Sequence, residues 1–197
     1  MIKRLLDLLV AFTGIIFLSP FFILFALWIK LDSHGPIFFR QVRVGLNGEN
    51  FKIHKFRSMY INSESKGKLT VRDDVRITRS GKFIRRFKVD ELPQLFDVLI
   101  GRMSLVGPRP EVQEFINEYP PDIRKKILSI RPGITDMASI EMIDENEILG
   151  NFKDFKKAYI ETILPTKQKL YLDYVENHNI WMDIHIILLT IKKVFSR

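Results

Sequence analysis

Leu8 to Ile29 reads LLVAFTGIIFLSPFFILFALWI, a run with no formally charged side chain. As a helix of roughly 22 residues rising about 1.5 Å each, it would cross a hydrocarbon core about 30 Å thick. No small-residue cleavage site follows, so it does not read as a removable signal peptide. Its length also sets it apart from the buried core helix of a soluble domain. Two features argue against a straight span. Ser19-Pro20 lies mid-run; proline withholds one helical hydrogen bond and bends the chain, and a neighbouring serine hydroxyl can satisfy part of what is freed. Both flanks are basic, with Lys3 and Arg4 before the run and Lys30, Arg40, Arg43, Lys52 and Lys55 after it. The positive-inside rule would hold both ends in the cytoplasm. Two topologies fit: a Pro-kinked spanning helix, and a re-entrant hairpin that returns to the face it entered.

Outside this segment the chain is long enough to bury a core of its own. The 197 residues carry a formal net charge of +8, which suits an anionic partner such as a phosphorylated substrate, anionic lipid or nucleic acid. There are no cysteines, which excludes disulfides, thiol catalysis and cysteine-ligated zinc. His34, His54, His178 and His185 are dispersed, without metal-protease spacing. Residues Ile37 to Val44 and Asn50 to Phe56 are rich in β-formers and flank Gly45-Leu46-Asn47-Gly48-Glu49, the pattern of a short hairpin. Asn62 to Lys68 reads as a polar loop. Helices are expected over 82–87, over 90–100 with Gly101 as the stop, and over 111–119, 122–130, 152–163, 167–177 and 181–195. The segment after Arg131-Pro132-Gly133 reads as irregular. The fold class is therefore α+β, mainly helical. In the last helix Ile184, Ile187, Leu188, Ile191 and Phe195 form an apolar stripe. Its default reading is core packing. The alternative is an interfacial helix, with Trp181 near the headgroups and Lys192 and Lys193 toward anionic lipid.

Two motifs carry chemistry: Lys88-Val89-Asp90-Glu91-Leu92-Pro93-Gln94 and Met103-Ser104-Leu105-Val106-Gly107-Pro108-Arg109-Pro110. Asp90 suits an N-cap with Pro93 in the first turn, and a helix N-terminus would keep both carboxylates ionised. Adjacent helical residues diverge by about 100°, so two carboxylates can address one site from different angles, one attacking and one holding a metal. Taken alone, the pair reads equally as a cap and a favourable dipole charge. The prolines around Arg109 restrict its backbone, and a guanidinium binds phosphate in bidentate fashion. Lys55, Arg57, Arg72, Arg76, Arg85, Arg86 and Arg131 are further candidates for an anion site. No phosphate-binding loop of the GxxxxGK[ST] type is present.

In order along the chain come Lys3-Arg4, the apolar run with Ser19-Pro20, Gly35 to Gln41, Arg43-Val44-Gly45 and Lys55 to Met59. Asp74 to Thr78, Asp90 to Gln94, Ser104 to Pro110 and Arg131 to Thr135 follow. This ordered set resembles the bacterial sugar transferases known as monotopic phosphoglycosyl transferases, or polyprenyl-phosphate hexose-1-phosphate transferases. The resemblance implies a re-entrant membrane helix broken at Ser19 and Pro20 over residues 1–32, and a cytoplasmic catalytic domain over 33–197. It implies that Asp90 is the nucleophile, that Glu91 helps bind Mg²⁺, and that Arg109 contacts phosphate, with Lys55, Arg85 and Gln94 around the site. The partners it implies are a UDP-sugar donor, a polyprenyl phosphate acceptor and membrane lipid, at the cytoplasmic face of a bacterial inner membrane. Nucleic acid is not among them, and a homodimer is left open. The expected reaction passes through an aspartyl phosphosugar. The rival readings are a membrane-anchored non-catalytic scaffold and a polyanion binder.

The chain departs from the family in two places. Lys88-Val89 stands where Ser or Thr and then Leu or Ile usually precede the Asp-Glu pair. Gly133-Ile134-Thr135-Asp136-Met137-Ala138-Ser139-Ile140-Glu141 replaces the usual continuation after the RPG, so an Asn-Gly-Arg substrate contact is missing. The second departure leaves the sugar undetermined.

Overall fold

Pro20 does not end the first helix. Having no N–H, it leaves the carbonyl of Ile16 without its usual donor. The Ser19 hydroxyl donates to that carbonyl at 2.8 Å, and helix α1 runs from Ile2–Asp32 through the proline. In the computed structural model, residues 2–61, 63, 74–142, 145–150 and 152–196 are described. Apart from Ser63, the expected loop over Asn62 to Lys68 lies outside them, as do Arg72 and Asp73. Along α1, Asp7, Ala11, Ile15, Leu18, Phe22, Phe25 and Ile29 recur every three or four residues and face the rest of the protein. The other side is apolar and open: Leu5, Leu9, Phe12, Phe17, Leu24 and Leu31 are each more than half exposed. A single seam on an otherwise bare apolar helix is not the burial of a core helix.

The expected hairpin is present. Its strands are β1 (Phe38–Phe39), β2 (Val42–Val44), β3 (Asn50–Lys52) and β4 (Lys55–Phe56). β2 pairs antiparallel with β3 in the register Arg43↔Phe51, and β1 with β4 in the register Phe39↔Lys55. Asn47 and Gly48 turn the chain with positive φ, at 54° and 83°.

Helix α2 (Arg79–Arg86) begins three residues before the expected start, because Thr78 caps it by accepting from the Gly81 amide at 3.0 Å. The next segment departs from expectation. Asp90 is not an N-cap: it lies inside a 3₁₀ turn, Val89–Glu91, and α3 (Gln94–Leu99) starts only after Pro93. Pro93 cannot donate back to Val89, so the turn tightens into bonds such as Leu92 N–H to Val89 C=O. Gly101, at φ 86°, stops the helix as its position predicts.

β5 (Ser104–Val106) follows, then α4 (Gln113–Ile116), α5 (Pro121–Ile127) and β6 (Gly133–Thr135). β5 and β6 form a parallel pair, Ser104↔Gly133 and Val106↔Thr135, where an irregular segment was expected. Backbone meets backbone there: a Cβ on Gly133 would lie 2.1 Å from the Gly107 nitrogen, and one on Gly107 2.6 Å from the Arg131 carbonyl. Only glycine permits that approach.

α6 (Met137–Glu141), α7 (Glu145–Gly150), α8 (Phe155–Ala158), α9 (Leu164–Asn177) and α10 (Ile180–Phe195) complete the chain. α8 and α9 are joined by a π turn, Tyr159–Ile163, so no gap appears at Pro165. The five-residue bond from Leu164 N–H to Tyr159 C=O carries the helix past the proline. α4, α5, α8 and α9 enclose the largest core. The hairpin, α2 and α3 pack under α1. On α10 the default reading fails: Leu188, Ile191, Phe195 and Trp181 are at least half exposed, and Asp183 and Ile186 point inward instead. Asp183 turns in because it has partners there, Lys3 at 2.6 Å and the Tyr174 hydroxyl at 2.5 Å.

Candidate active site

The site is assembled where the 3₁₀ turn, strand β4 and the turn after β5 meet. Lys88 enters it in the left-handed conformation, φ 56°, which costs a non-glycine residue about 1–2 kcal/mol. That kink ends α2 and turns Asp90 and Glu91 toward the hairpin. β4 delivers Lys55, and β5 leads through Gly107-Pro108 to Arg109.

Glu91 is gripped by both cations. The Lys55 ammonium donates to its Oε1 at 2.8 Å, and the Arg109 guanidinium takes both oxygens, one at 3.2 Å. Burial alone would raise the Glu91 carboxyl, but Arg109 and Lys55 overcome that and hold it well below the usual carboxylate range. Arg109 is correspondingly raised, mainly by Glu91. Lys55 is pushed down to about 8, chiefly by burial.

Asp90 differs in every respect. It is 7 % exposed, and its Oδ1 is buried without a hydrogen-bond partner. Burial first, and the neighbouring Glu91 second, push its carboxyl up. The expected helix N-terminus is not there to offset this: Asp90 sits within the 3₁₀ turn and not at an N-cap. Gln94, four residues on, is also buried, and its Nε2 has no partner. Each residue thus keeps one buried polar atom unpaired, where buried polar atoms are ordinarily satisfied.

Arg85 lies near Asp90. Its Nη1 reaches the Ser58 hydroxyl at 3.5 Å, and its charge acts on Asp90. Arg131 does not join the group. Its Nε donates to the Gly101 carbonyl at 2.8 Å, beyond the C-terminus of α3, where exposed carbonyls attract a cation. Ser19 and Pro20 lie mid-way along the exposed side of α1. Of the expected site residues, the structure brings together Asp90, Glu91, Lys55, Arg85 and Arg109, and buries Gln94 one helical turn along the chain from Asp90.

Arg43 is an addition. From β2 its Nη1 donates to the Pro110 carbonyl at 3.0 Å and lies 3.8 Å from Glu111. Glu111 in turn accepts from the Tyr159 hydroxyl at 2.6 Å, and Lys167 reaches that hydroxyl at 3.1 Å. The Pro108–Pro110 turn is thus backed by buried charge. Arg43 lies in a basic motif visible in the sequence, but nothing in the spacing of Glu111, Tyr159 and Lys167 signals their meeting.

Among the described residues no cluster of three or more His, Cys, Asp or Glu side chains is set to hold a metal. Two neighbouring carboxylates nevertheless suit Mg²⁺, which is commonly held by one or two carboxylates together with substrate phosphates. Asp90 Oδ1 is unpaired, and Glu91 Oε2 makes a single contact, so each keeps a free lone pair.

Comparison with known proteins shows the family. A family model described as bacterial sugar transferase matches residues 1–197. The UDP-N-acetylgalactosamine-undecaprenyl-phosphate N-acetylgalactosaminephosphotransferase of Aeromonas hydrophila is 38% identical over 99% of this chain and 44% of its own length. The UDP-glucose:undecaprenyl-phosphate glucose-1-phosphate transferase of Klebsiella pneumoniae is 36% identical over 98% of this chain and 40% of its own. The chain thus spans less than half of those relatives. It spans 87% of the uncharacterized sugar transferase EpsL of Bacillus subtilis, at 37% identity over 98% of this chain.

Proposed function

Because the chain belongs to the bacterial sugar transferase family, we propose that it moves a sugar-1-phosphate from a UDP-sugar to a polyprenyl phosphate, releasing UMP and forming a polyprenyl-diphosphate sugar. The observation that carries this reading is the contrast at the Asp-Glu pair. Glu91 is locked between two cations, while Asp90 is buried, unpaired and raised. A carboxylate freed of water and partners is prepared to attack.

In the first step an Asp90 oxygen attacks the phosphorus that bears the sugar. The bond from that phosphorus to the bridging oxygen of UMP breaks, UMP leaves with the electron pair, and the sugar phosphate remains on Asp90 as an acyl phosphate. In the second step an oxygen of the lipid phosphate attacks the same phosphorus and the Asp90 carboxylate leaves. No net proton transfer is needed. Arg85, not committed to a carboxylate by any contact described above, orients the diphosphate, and the Gln94 amide donates to a phosphate oxygen. Arg109 and Lys55 keep Glu91 ionised and in place. Mg²⁺, which Glu91 would help hold, would neutralise charge on the diphosphate.

The apolar helix fits a lipid acceptor. The Lys3–Asp183 ion pair ties the first turn of α1 to the inward side of α10, and each helix keeps an exposed apolar side, which suits contact with lipid. Both ends of α1 are tied to the same body, at Lys3 to Asp183 and at Asp32 to Ser80. That supports a re-entrant helix over a spanning one, with the catalytic part on the cytoplasmic side of the inner membrane.

The test is UMP release by detergent-solubilised protein across a panel of UDP-sugars, with and without polyprenyl phosphate and Mg²⁺. Release that needs Asp90 and turns over only with the lipid establishes the reaction and names the donor. A sugar phosphate trapped on any residue other than Asp90 would refute the nucleophile. Silence across the panel from folded protein would favour a scaffold.

A further inference from the structure

Asp7 is an anomaly in α1. It is a carboxylate in the second turn of an apolar helix, 5 % exposed, and it faces the protein. Both of its oxygens are used. Oδ2 accepts from the Ser104 hydroxyl at 2.8 Å, and Oδ1 accepts from the Leu105 backbone N–H at 3.2 Å. Both partners belong to β5. That strand has β6 on one side only. The alternate amide, Leu105, therefore faces away from β6 and would be left without a partner beside an apolar helix, at a cost of about 1–3 kcal/mol. Asp7 takes the place of the missing strand.

β5 continues directly into Gly107-Pro108-Arg109. There is no slack in between. Gly107 N–H donates to the Thr135 carbonyl at 3.1 Å, Gly133 N–H donates to the Pro108 carbonyl at 3.0 Å, and the two glycines stand backbone to backbone. The Arg109 guanidinium then takes both oxygens of Glu91. We propose that Asp7 is a positioning residue: from the apolar helix it fixes β5, and through the rigid Gly107-Pro108 turn it sets the place of the Arg109 guanidinium at the site.

The other contacts of α1 follow the same plan. Arg4 donates to the Val98 carbonyl at 2.7 Å and so holds the end of α3, which carries Gln94. Arg57, 4 % exposed and two residues beyond Lys55, donates to the Ile29 carbonyl of α1 at 3.4 Å and to the Ser33 carbonyl just past its end at 2.8 Å. Asp32 accepts from the Ser80 amide at 2.8 Å at the start of α2, which carries Arg85. Asp7 is the contact that leads to Arg109.

The activity arm of the test rests on the transferase reading; the exchange arm does not. Asp7→Ala is expected to lower kcat for UMP release roughly 10- to 100-fold, with little change in donor KM, as for a sub-ångström to ångström misplacement of a catalytic group. Asp7→Asn keeps an acceptor for Leu105 N–H and can donate to the Ser104 hydroxyl, so it recovers most of the loss. In an Arg109→Lys background the Asp7→Ala effect largely disappears, because coupled residues do not add. Ser104→Ala, which removes one contact only, gives a smaller loss and serves if Asp7→Ala does not fold. Amide hydrogen exchange at Leu105, Gly107 and Arg109 quickens in Asp7→Ala and not in Asp7→Asn. A loss that adds in full to Arg109→Lys, or exchange unchanged over 105–109, would overturn the proposal. Wild-type protein that releases no UMP would instead tell against the transferase reading and leave the exchange comparison standing.

Discussion

At the residue scale, Asp90 and Glu91 are adjacent in the chain and their carboxyls are pushed in opposite directions. Asp90's carboxyl is raised by burial and by Glu91, so the folded protein holds that proton more tightly than the unfolded chain. The stability this gives is present below the ordinary carboxylate range and is lost as pH rises through the raised value. Asp90→Asn should therefore abolish UMP release and at the same time raise the thermal midpoint, by roughly 2–4 °C if about 1 kcal/mol is recovered. Scanning calorimetry should show a larger gain at pH 7 than at pH 4. Lys55 runs the other way. It is charged below about 8 and neutral above, so Glu91 keeps two cations at neutral pH and only Arg109 in alkali. A pH–rate profile should fall on the alkaline side near 8, and Lys55→Arg, which cannot deprotonate, should move that limb out of range. Since the folded value lies below the ordinary 10.5, the cost of burying this charge is relieved as pH rises from about 8 toward 10.5.

At the element scale, the exposed apolar side of α10 is where the membrane reading can be tested. Leu188 and Phe195 are 60% and 80% exposed. On the membrane reading, Leu188→Asp with Phe195→Asp should reduce the fraction that floats with anionic vesicles, with the circular dichroism of the helix unchanged. Sequence periodicity located α10 within a residue at its N-terminus but misassigned its face. The apolar stripe was visible; that Asp183 and Thr190 had partners waiting in Lys3, Tyr174 and Thr135 was not. The same limit explains β5 and β6. Each is three residues long, too short to display a two-residue period, and their pairing depends on two glycines far apart in the chain. The hairpin was legible because its turn chemistry is local. At the site, the Asp-Glu pair, Lys55, Arg85, Gln94 and Arg109 were legible from motifs. Arg131 was misplaced because a basic residue beside Pro-Gly looks the same whether it holds an anion or caps a helix. The upward push on the Asp90 carboxyl was not legible, because it turns on burial, which one sequence does not display.

At the scale of the whole molecule, the question is which side of the membrane each end of α1 occupies. The chain has no cysteine, so Ile2→Cys and Lys30→Cys are clean single-site reporters at exposed positions. A membrane-impermeant maleimide should label both from the cytoplasmic side of inverted vesicles and neither from intact spheroplasts. Labelling of Ile2→Cys from outside would establish a span. There is a further consequence of tying one helix at both ends. A free transmembrane helix meets a thicker or thinner bilayer by tilting, at fractions of a kcal/mol per ångström of mismatch. Here the lysine and aspartate at the first turns and the aspartate at the last turn deny α1 that freedom. On the membrane reading, the lipid would have to deform around the protein, and the protein would collect where the bilayer already has the thickness that α1 dictates.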